Sequence, residues 1–227
     1  MRRQSYYEGD TVEEAIRASQ IFGPSQRSEI KSFDLIQQIK LGDALLIGEG
    51  NLSFAKSLVQ RHGVSTKKLV ATTYETFSAL KGISLGNALW LQGRGVKTLH
   101  GVNATSLDRS FPRVSFRTIV FQFPHTGKRK PIGGRNPNHV LVKQFLKSAR
   151  GRLRQDGKVC ISYVDSPHYD GAFQFDIAAS LAGYLPPDSF LFDKNKFRGY
   201  THVMTNEPRS ALTFHKRFRT VVFRSKK

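Results

Sequence analysis

The sequence predicts an α/β fold, a mostly parallel central sheet of about seven strands with helices on both faces. Three observations predict it. Short apolar runs alternate with helical patterns along most of the chain. The first such run ends in a Gly-x-Gly turn that opens a helix, and the second ends in a carboxylate. Alternation of this kind is the mark of βαβ units, in which each crossover helix covers the sheet. In such sheets ligands gather at the carboxyl ends of the strands, near the switch in strand order.

The elements follow in order. Residues 1–40 read as a partly helical extension, with an amphipathic stretch over Val12 to Ile21, a Gly23-Pro24-Ser25 break and a second helical pattern through Phe33, Leu35, Ile36 and Ile39. Residues 41–227 read as one domain. Ala44 to Ile47 is a buried strand, and the helix behind it runs through Phe54, Ala55, Leu58 and Val59 to Gly63. Lys68 to Thr73 is a strand and Thr76 to Leu91 a helix. Val96 to Val102 and Arg117 to Phe121 are further strands. Asn136-Pro137 reads as an N-cap with proline in the first turn. The helix it opens buries Leu141, Phe145 and Ala149, and Lys143, Lys147, Arg150 and Arg154 form a basic stripe along it. Gly157 to Val164 is a strand, Phe173 to Leu181 a helix, and strands near Ser189 to Phe192, Thr201 to Thr205 and Leu212 to Phe223 complete the sheet.

Charge narrows the partner. The 227 residues carry 36 Lys and Arg against 17 Asp and Glu, a net +19. The first 50 residues are slightly acidic, with six basic and eight acidic side chains, so the excess lies beyond them. Lys128 to Gln155 holds nine basic residues and no acid. Such a field concentrates polyanions, and a pI near 10.4 is the usual footprint of nucleic-acid binding. A single cysteine, Cys160, excludes an internal disulfide and a thiolate metal cluster. The histidines have no metal-ligand spacing, and no metal is expected. No apolar run reaches the roughly 18 residues of a membrane span. The opening residues do not form a secretory signal. The chain is expected to be neither membrane-bound nor secreted.

The candidate pocket is built at three strand ends. Gly48, Glu49, Gly50 and Asn51 follow the first strand, where two glycines let a ligand approach the backbone and the helix start supplies free amides. Ser53 stands where a dinucleotide fingerprint wants a third glycine. Glu75 lies 25 residues beyond Gly50, placed to accept two ribose hydroxyls. Asn103 and Ala104 follow the third strand, where a polar side chain can meet an adenine edge. Together the three describe an adenosine pocket. The fourth strand ends in Gln122-Phe123-Pro124-His125-Thr126-Gly127.

Gly-Glu-Gly-Asn-x-Ser-Phe, Ala-Thr-Thr-Tyr-Glu, Val-Asn-Ala-Thr-x-Leu and Phe-Pro-His-Thr-Gly occur here in that order. So read, the chain resembles the Rossmann-fold class I methyltransferases of the 25S rRNA (uridine-N3)-methyltransferase type. The resemblance runs from about Leu41 to Thr205 and takes in Asn136, Gly157 and Gly199-Tyr200-Thr201-His202. It implies S-adenosyl-L-methionine as cofactor. Gly48, Glu49, Gly50 and Asn51 would lie on its methionine and ribose side, Glu75 at the ribose hydroxyls, and Asn103 and Ala104 at adenine. Gln122, Phe123, Pro124 and His125 would form the catalytic loop beside the transferred methyl. Two positions depart from the family pattern, which usually shows Asp in place of Asn103 and Asn in place of Gln122.

The resemblance also implies ribosomal RNA or a pre-ribosomal particle as partner, a role in ribosome biogenesis, and a nucleolar location in a eukaryote or a cytoplasmic one otherwise. A monomer is expected. Uridine N3 lies on the pairing edge, so the target base must be unpaired or flipped out. His125 would either orient that base or take its proton, and Phe123 either stacks on it or belongs to the core. Asp165, Ser166, Pro167, His168 and Tyr169 offer a further wall. Lys128, Arg129, Lys130 and Arg135 would grip RNA phosphates from a loop whose glycines allow it to close, and the segment Phe214 to Arg219 mixes aromatics with cations in the manner of a single-strand platform or an edge strand. Two alternatives stand beside the RNA methyltransferase. One is a catalytically weak relative that binds RNA as a ribosome-assembly factor, and the other is a small-molecule methyltransferase.

Overall fold

The computed structural model describes residues 32–128, 130–203 and 215–226. Its seven strands are β1 (Ala44–Ile47), β2 (Leu69–Thr72), β3 (Lys97–Leu99), β4 (Phe116–Gln122), β5 (Leu153–Val164), β6 (Asp188–Leu191) and β7 (Phe218–Arg224). They lie side by side as β3-β2-β1-β4-β5-β7-β6. β1 to β5 pair in parallel, and β7 runs antiparallel to both β5 and β6. The predicted Rossmann-like sheet is present, with its order reversing between β1 and β4.

Helices cover both faces. On one side α1 (Leu35–Lys40), α2 (Ser53–His62) and α3 (Gly82–Gln92) bury Ile39, Phe54, Leu58 and Leu91 against Leu46, Ala71 and Val120. On the other, α4 (Leu107–Ser110), α5 (Pro137–Arg150), α6 (Pro167–Phe173) and α7 (Phe175–Ala182) bury Leu107, Phe145, Phe173 and Ala179 against Ile47, Phe121 and Ile161. The runs of β1 and β2 read as continuously apolar because both faces of those strands are covered. α1 is anchored through Gln38, whose Nε2 donates to Thr118 Oγ1 at 3.0 Å while Thr118 Oγ1 donates to the Gln38 carbonyl at 3.1 Å.

Several predicted boundaries shift for physical reasons. The helix expected from Thr76 begins only at Gly82. The Glu75 carbonyl accepts from Gly101 N and Thr73 Oγ1, both at 2.8 Å, which commits the chain to a loop beyond β2. Arg154 is not on the basic helix. α5 stops at Arg150, and Arg154 lies in β5, where its guanidinium pairs with Asp43 at 2.5 Å. β5 itself starts at Leu153 because its pairing with β4 slips between Phe116 and Thr118. Gly157 makes that slip fit, since a Cβ there would come within 2.8 Å of Leu153 Cδ1 and 3.0 Å of the Arg117 carbonyl. Thr201–Val203 form no strand. Val12 to Ile21, Arg129, Met204, Thr205 and Leu212 to Phe214 lie outside the described residues.

Candidate functional site

The first strand end is a loop stitched to its neighbour. Thr72, buried at the end of β2, donates from Oγ1 to the Leu46 carbonyl at 3.0 Å and accepts from Gly48 N at 3.2 Å, while Glu49 N donates to its carbonyl at 2.8 Å. Gly48 has φ +62, and a Cβ there would meet Phe121 Cε2 at 2.9 Å, so only glycine suits the turn. Glu49 is 7% exposed. Its Oε2 accepts from Ala55 N at 3.1 Å in the first turn of α2, while Oε1 is buried with no partner. Burial pushes its carboxyl up to about 8, against which the Ala55 hydrogen bond works only in part.

A second segment closes over this loop from far along the chain. Ser53 Oγ donates to the Thr201 carbonyl and accepts from Thr201 N, both at 3.0 Å. Asn51 Nδ2 donates to the same carbonyl at 2.8 Å and to Thr201 Oγ1 at 3.0 Å, and its Oδ1 accepts from Ser53 N. Asn87 Nδ2 donates to the Asn51 carbonyl at 2.8 Å. Asn51, expected at the cofactor, therefore spends its side chain on the clamp. Val203 comes over Gly50, its Cβ 3.8 Å from where a side chain at residue 50 would place a Cβ.

Glu75 is exposed in the loop beyond β2. Asn103 is exposed and Ala104 buried after β3, where Val102 N donates to the Thr73 carbonyl at 3.0 Å and holds the two strand ends together. The Asn103 side chain caps a short 3-10 turn over Ala104–Ser106.

The end of β4 holds a buried amide with unused hydrogen-bonding capacity. Both amide atoms of Gln122, Nε2 and Oε1, are buried without a hydrogen-bond partner. A buried amide left unpaired costs stability, so an amide kept at a strand end is a candidate for a role in chemistry. Phe123 follows with φ +50, a left-handed conformation costly for a bulky residue and typical of functional turns. Its ring packs edge-on against Phe192 and Phe218 at 5.8 Å and against His202 at 5.1 Å. Of the two readings of Phe123, the core one describes these contacts. Pro124 is buried and His125 is exposed.

His125 Nδ1 accepts from Gly127 N at 2.9 Å, which leaves the ring proton on Nε2. Desolvation, and then the neighbouring His168, hold its pKa below the ordinary histidine value. His168 thus lies near His125, while Asp165 pairs with Arg217 at 3.2 Å. Lys128 and Lys130 are exposed and Arg135 is half-buried. The loop that carries them is more built than its glycines suggest. Ile132 N donates to the Arg135 carbonyl at 2.9 Å and Arg135 N to the Ile132 carbonyl at 3.2 Å, across Gly133 and Gly134 at φ +56 and +75. Two consecutive positive φ values make a tight hairpin turn of the mirror-image kind.

Sequence reasoning missed one residue and gave another no role. Asn138, buried in the first turn of α5, accepts at Oδ1 from Thr126 N at 3.0 Å and Thr126 Oγ1 at 3.2 Å, and so holds the loop after His125. Its only sequence signal is an Asn just past a helix-starting proline. Asn138→Ala is expected to lower kcat about tenfold with cofactor affinity within twofold of wild type, as single-turnover assays and calorimetry would show. His202 is the other. Its Nδ1 is buried without a partner, and burial takes its pKa down to about 4.

Among the described residues no helix is long and apolar enough to cross a membrane, and no cluster of His, Cys, Asp or Glu has the geometry of a metal site. The model of the BMT5-like family, described as rRNA (uridine-N3-)-methyltransferase BTM5-like, matches residues 45–204. A mouse protein, ferredoxin-fold anticodon-binding domain-containing protein 1 homolog, is 31% identical over 170 residues, 69% of this chain and 27% of that protein. The 25S rRNA (uridine(2634)-N(3))-methyltransferase of Saccharomyces cerevisiae is 22% identical over 223 residues, 71% of this chain and 66% of that one. The chain thus spans about a quarter of the mouse relative's length and about two thirds of the yeast one's. The crystal structure of TrmN from Thermus thermophilus shares the fold with a TM-score of 0.53 at 14% identity, covering 82% of this chain and 44% of that one. With Gly48, Glu75, Asn103 and the Gln122–His125 turn all inside the matched span, the chain belongs to the BMT5-like rRNA (uridine-N3-)-methyltransferase family.

Proposed function

We propose that this chain is an S-adenosylmethionine-dependent RNA methyltransferase that methylates N3 of a uridine in large-subunit ribosomal RNA. The observation that carries the reading is the unpartnered Gln122 amide beside His125, at the carboxyl end of the strand where the sheet order reverses. Family membership supports it.

The residues present fit the cofactor. The partnerless Oε1 of Glu49 suits the α-ammonium of a methionine moiety. Gly48 and Gly50 line the methionine and ribose side, Glu75 takes the ribose hydroxyls, and Asn103 with Ala104 meets the adenine. When bound, S-adenosylmethionine supplies an electrophilic methyl on a sulfonium.

This chain's residues do the rest. A uracil ring offers two carbonyl oxygens on either side of N3, and losing the N3 proton spreads negative charge onto both. Gln122 Nε2 donates to one and His125 Nε2 to the other, which stabilises the imidate as its proton leaves to water. His125 orients the base and does not take the proton, because the nitrogen that would accept it is engaged by Gly127 N. Both donors leave the N3 lone pair open for in-line attack. Lys128, Arg129, Lys130 and Arg135 contact RNA phosphates next to this turn. Residues 41–227 carry the site, and the protein acts as a monomer on ribosomal or pre-ribosomal RNA, in the nucleolus of a eukaryote or the cytoplasm otherwise.

The test is mass spectrometry of nucleosides from ribosomal RNA of cells with and without the protein. Loss of 3-methyluridine, restored by wild type, is the expected result. Unchanged base methylation would sink the reading.

A further inference from the structure

The Asn103 side chain is half spent before any ligand arrives. Its Oδ1 accepts from Thr105 N at 2.9 Å and from Thr105 Oγ1 at 2.8 Å. A backbone N–H can only donate, so the atom facing it is the amide oxygen and not the nitrogen. A carbonyl oxygen has two lone pairs, and Thr105 takes both. What Asn103 can still present is Nδ2, which only donates. The turn that holds it is fixed in place, with Ala104 buried and Leu107 N donating to Ser148 Oγ on α5 at 2.7 Å.

An aspartate at this position would behave differently. One carboxylate oxygen would cap the turn and the second would remain an acceptor. The adenine edge has both kinds of partner, since its exocyclic 6-amino group donates and its ring nitrogens accept. A donor facing the 6-amino group forms no hydrogen bond.

We infer that Asn103 reads a ring nitrogen of the cofactor's adenine and that the 6-amino group contributes little to binding in this chain. The inference rests on the proposed reading of this pocket as an adenosyl site, which it deepens. It makes residue 103 the determinant of whether the 6-position is recognised.

Calorimetric titration of the 227-residue protein tests this without turnover. The probes are S-adenosylhomocysteine and its 6-deamino analogue, which lacks the exocyclic amine but keeps every ring acceptor. Wild type is expected to bind the two with Kd values within about fivefold. Asn103→Asp restores an acceptor and is expected to favour S-adenosylhomocysteine by about tenfold or more, the worth of one hydrogen bond to a charged group. A wild-type preference above fivefold for the amine-bearing compound overturns the inference and leaves the pocket reading intact. So does a variant whose preference is no greater than wild type's. If neither compound binds wild type, the adenosyl pocket is lost and the inference goes with it.

Discussion

Replacing Gln122 with leucine is expected to slow methyl transfer by roughly two to three orders of magnitude and to stabilise the protein in the same stroke. Leucine is close to glutamine in size but has no polar atoms. In the protein without ligand, Gln122 holds a donor and an acceptor away from water with nothing to bond. Removing such a pair returns about 1–3 kcal/mol. In a domain of this size that raises Tm by about 3 °C or more, readable by calorimetry. The same change deletes the donor proposed to hold a uracil carbonyl, and one donor aimed at developing charge is worth roughly 100- to 1000-fold in kcat. Opposite signs on stability and activity are the signature of a residue kept for chemistry. A Gln122→Leu protein that lost stability along with activity would mark Gln122 as packing instead.

The second large effect concerns Glu49 and pH. Its carboxyl sits near 8 in the folded chain, against an ordinary value of 4.5, because burial disfavours its charge. A group whose folded pKa is raised gives stability that is complete below the unfolded pKa and is lost as pH climbs through the folded one. Stability should therefore fall between about pH 4.5 and pH 8, by up to a few kcal/mol. Glu49→Gln removes that slope, so thermal melts of the variant and wild type should diverge across this window, with the variant the more stable at its upper end. Cofactor binding runs the other way. A cationic ammonium next to Oε1 favours the carboxylate, so binding releases a proton and wild-type affinity should rise toward pH 8. The variant should bind more weakly, by about tenfold or more at pH 8, with a flat pH dependence. Equal pH slopes in the two proteins would mean that Glu49 only caps α2.

Both arguments use residues that the sequence already pointed to, but their reasons were not visible there. Gly-Glu-Gly after an apolar run marks a strand end and a turn. It does not reveal that Glu49 lies buried with one oxygen bonded to Ala55 N and the other to nothing. Gln122 was legible as a strand-end amide, while its lack of partners depends on every element packed around it. Periodicity located β1, β2 and β4 closely because their residues are buried on both faces. It misplaced the start of α3, where Glu75 is held by hydrogen bonds to Gly101 and Thr73 and not by its own propensity. It also put Arg154 on a helix, since spacing alone cannot see Gly151 capping α5 or Asp43 waiting across the sheet. The Ser53–Thr201 clamp joins residues 148 apart in sequence, and no local pattern encodes such a contact.

Among the described residues β7 comes last in sequence order but not in the sheet, for it fills the gap between β5 and β6. During synthesis the six other described strands emerge first, and β5 and β6 must wait with unpaired edges until Phe218–Arg224 leaves the ribosome. The sheet is closed by a keystone set last. A message cut short before that strand would yield a chain with two open edges facing one another, a form suited to aggregation and early proteolysis more than to a smaller working enzyme.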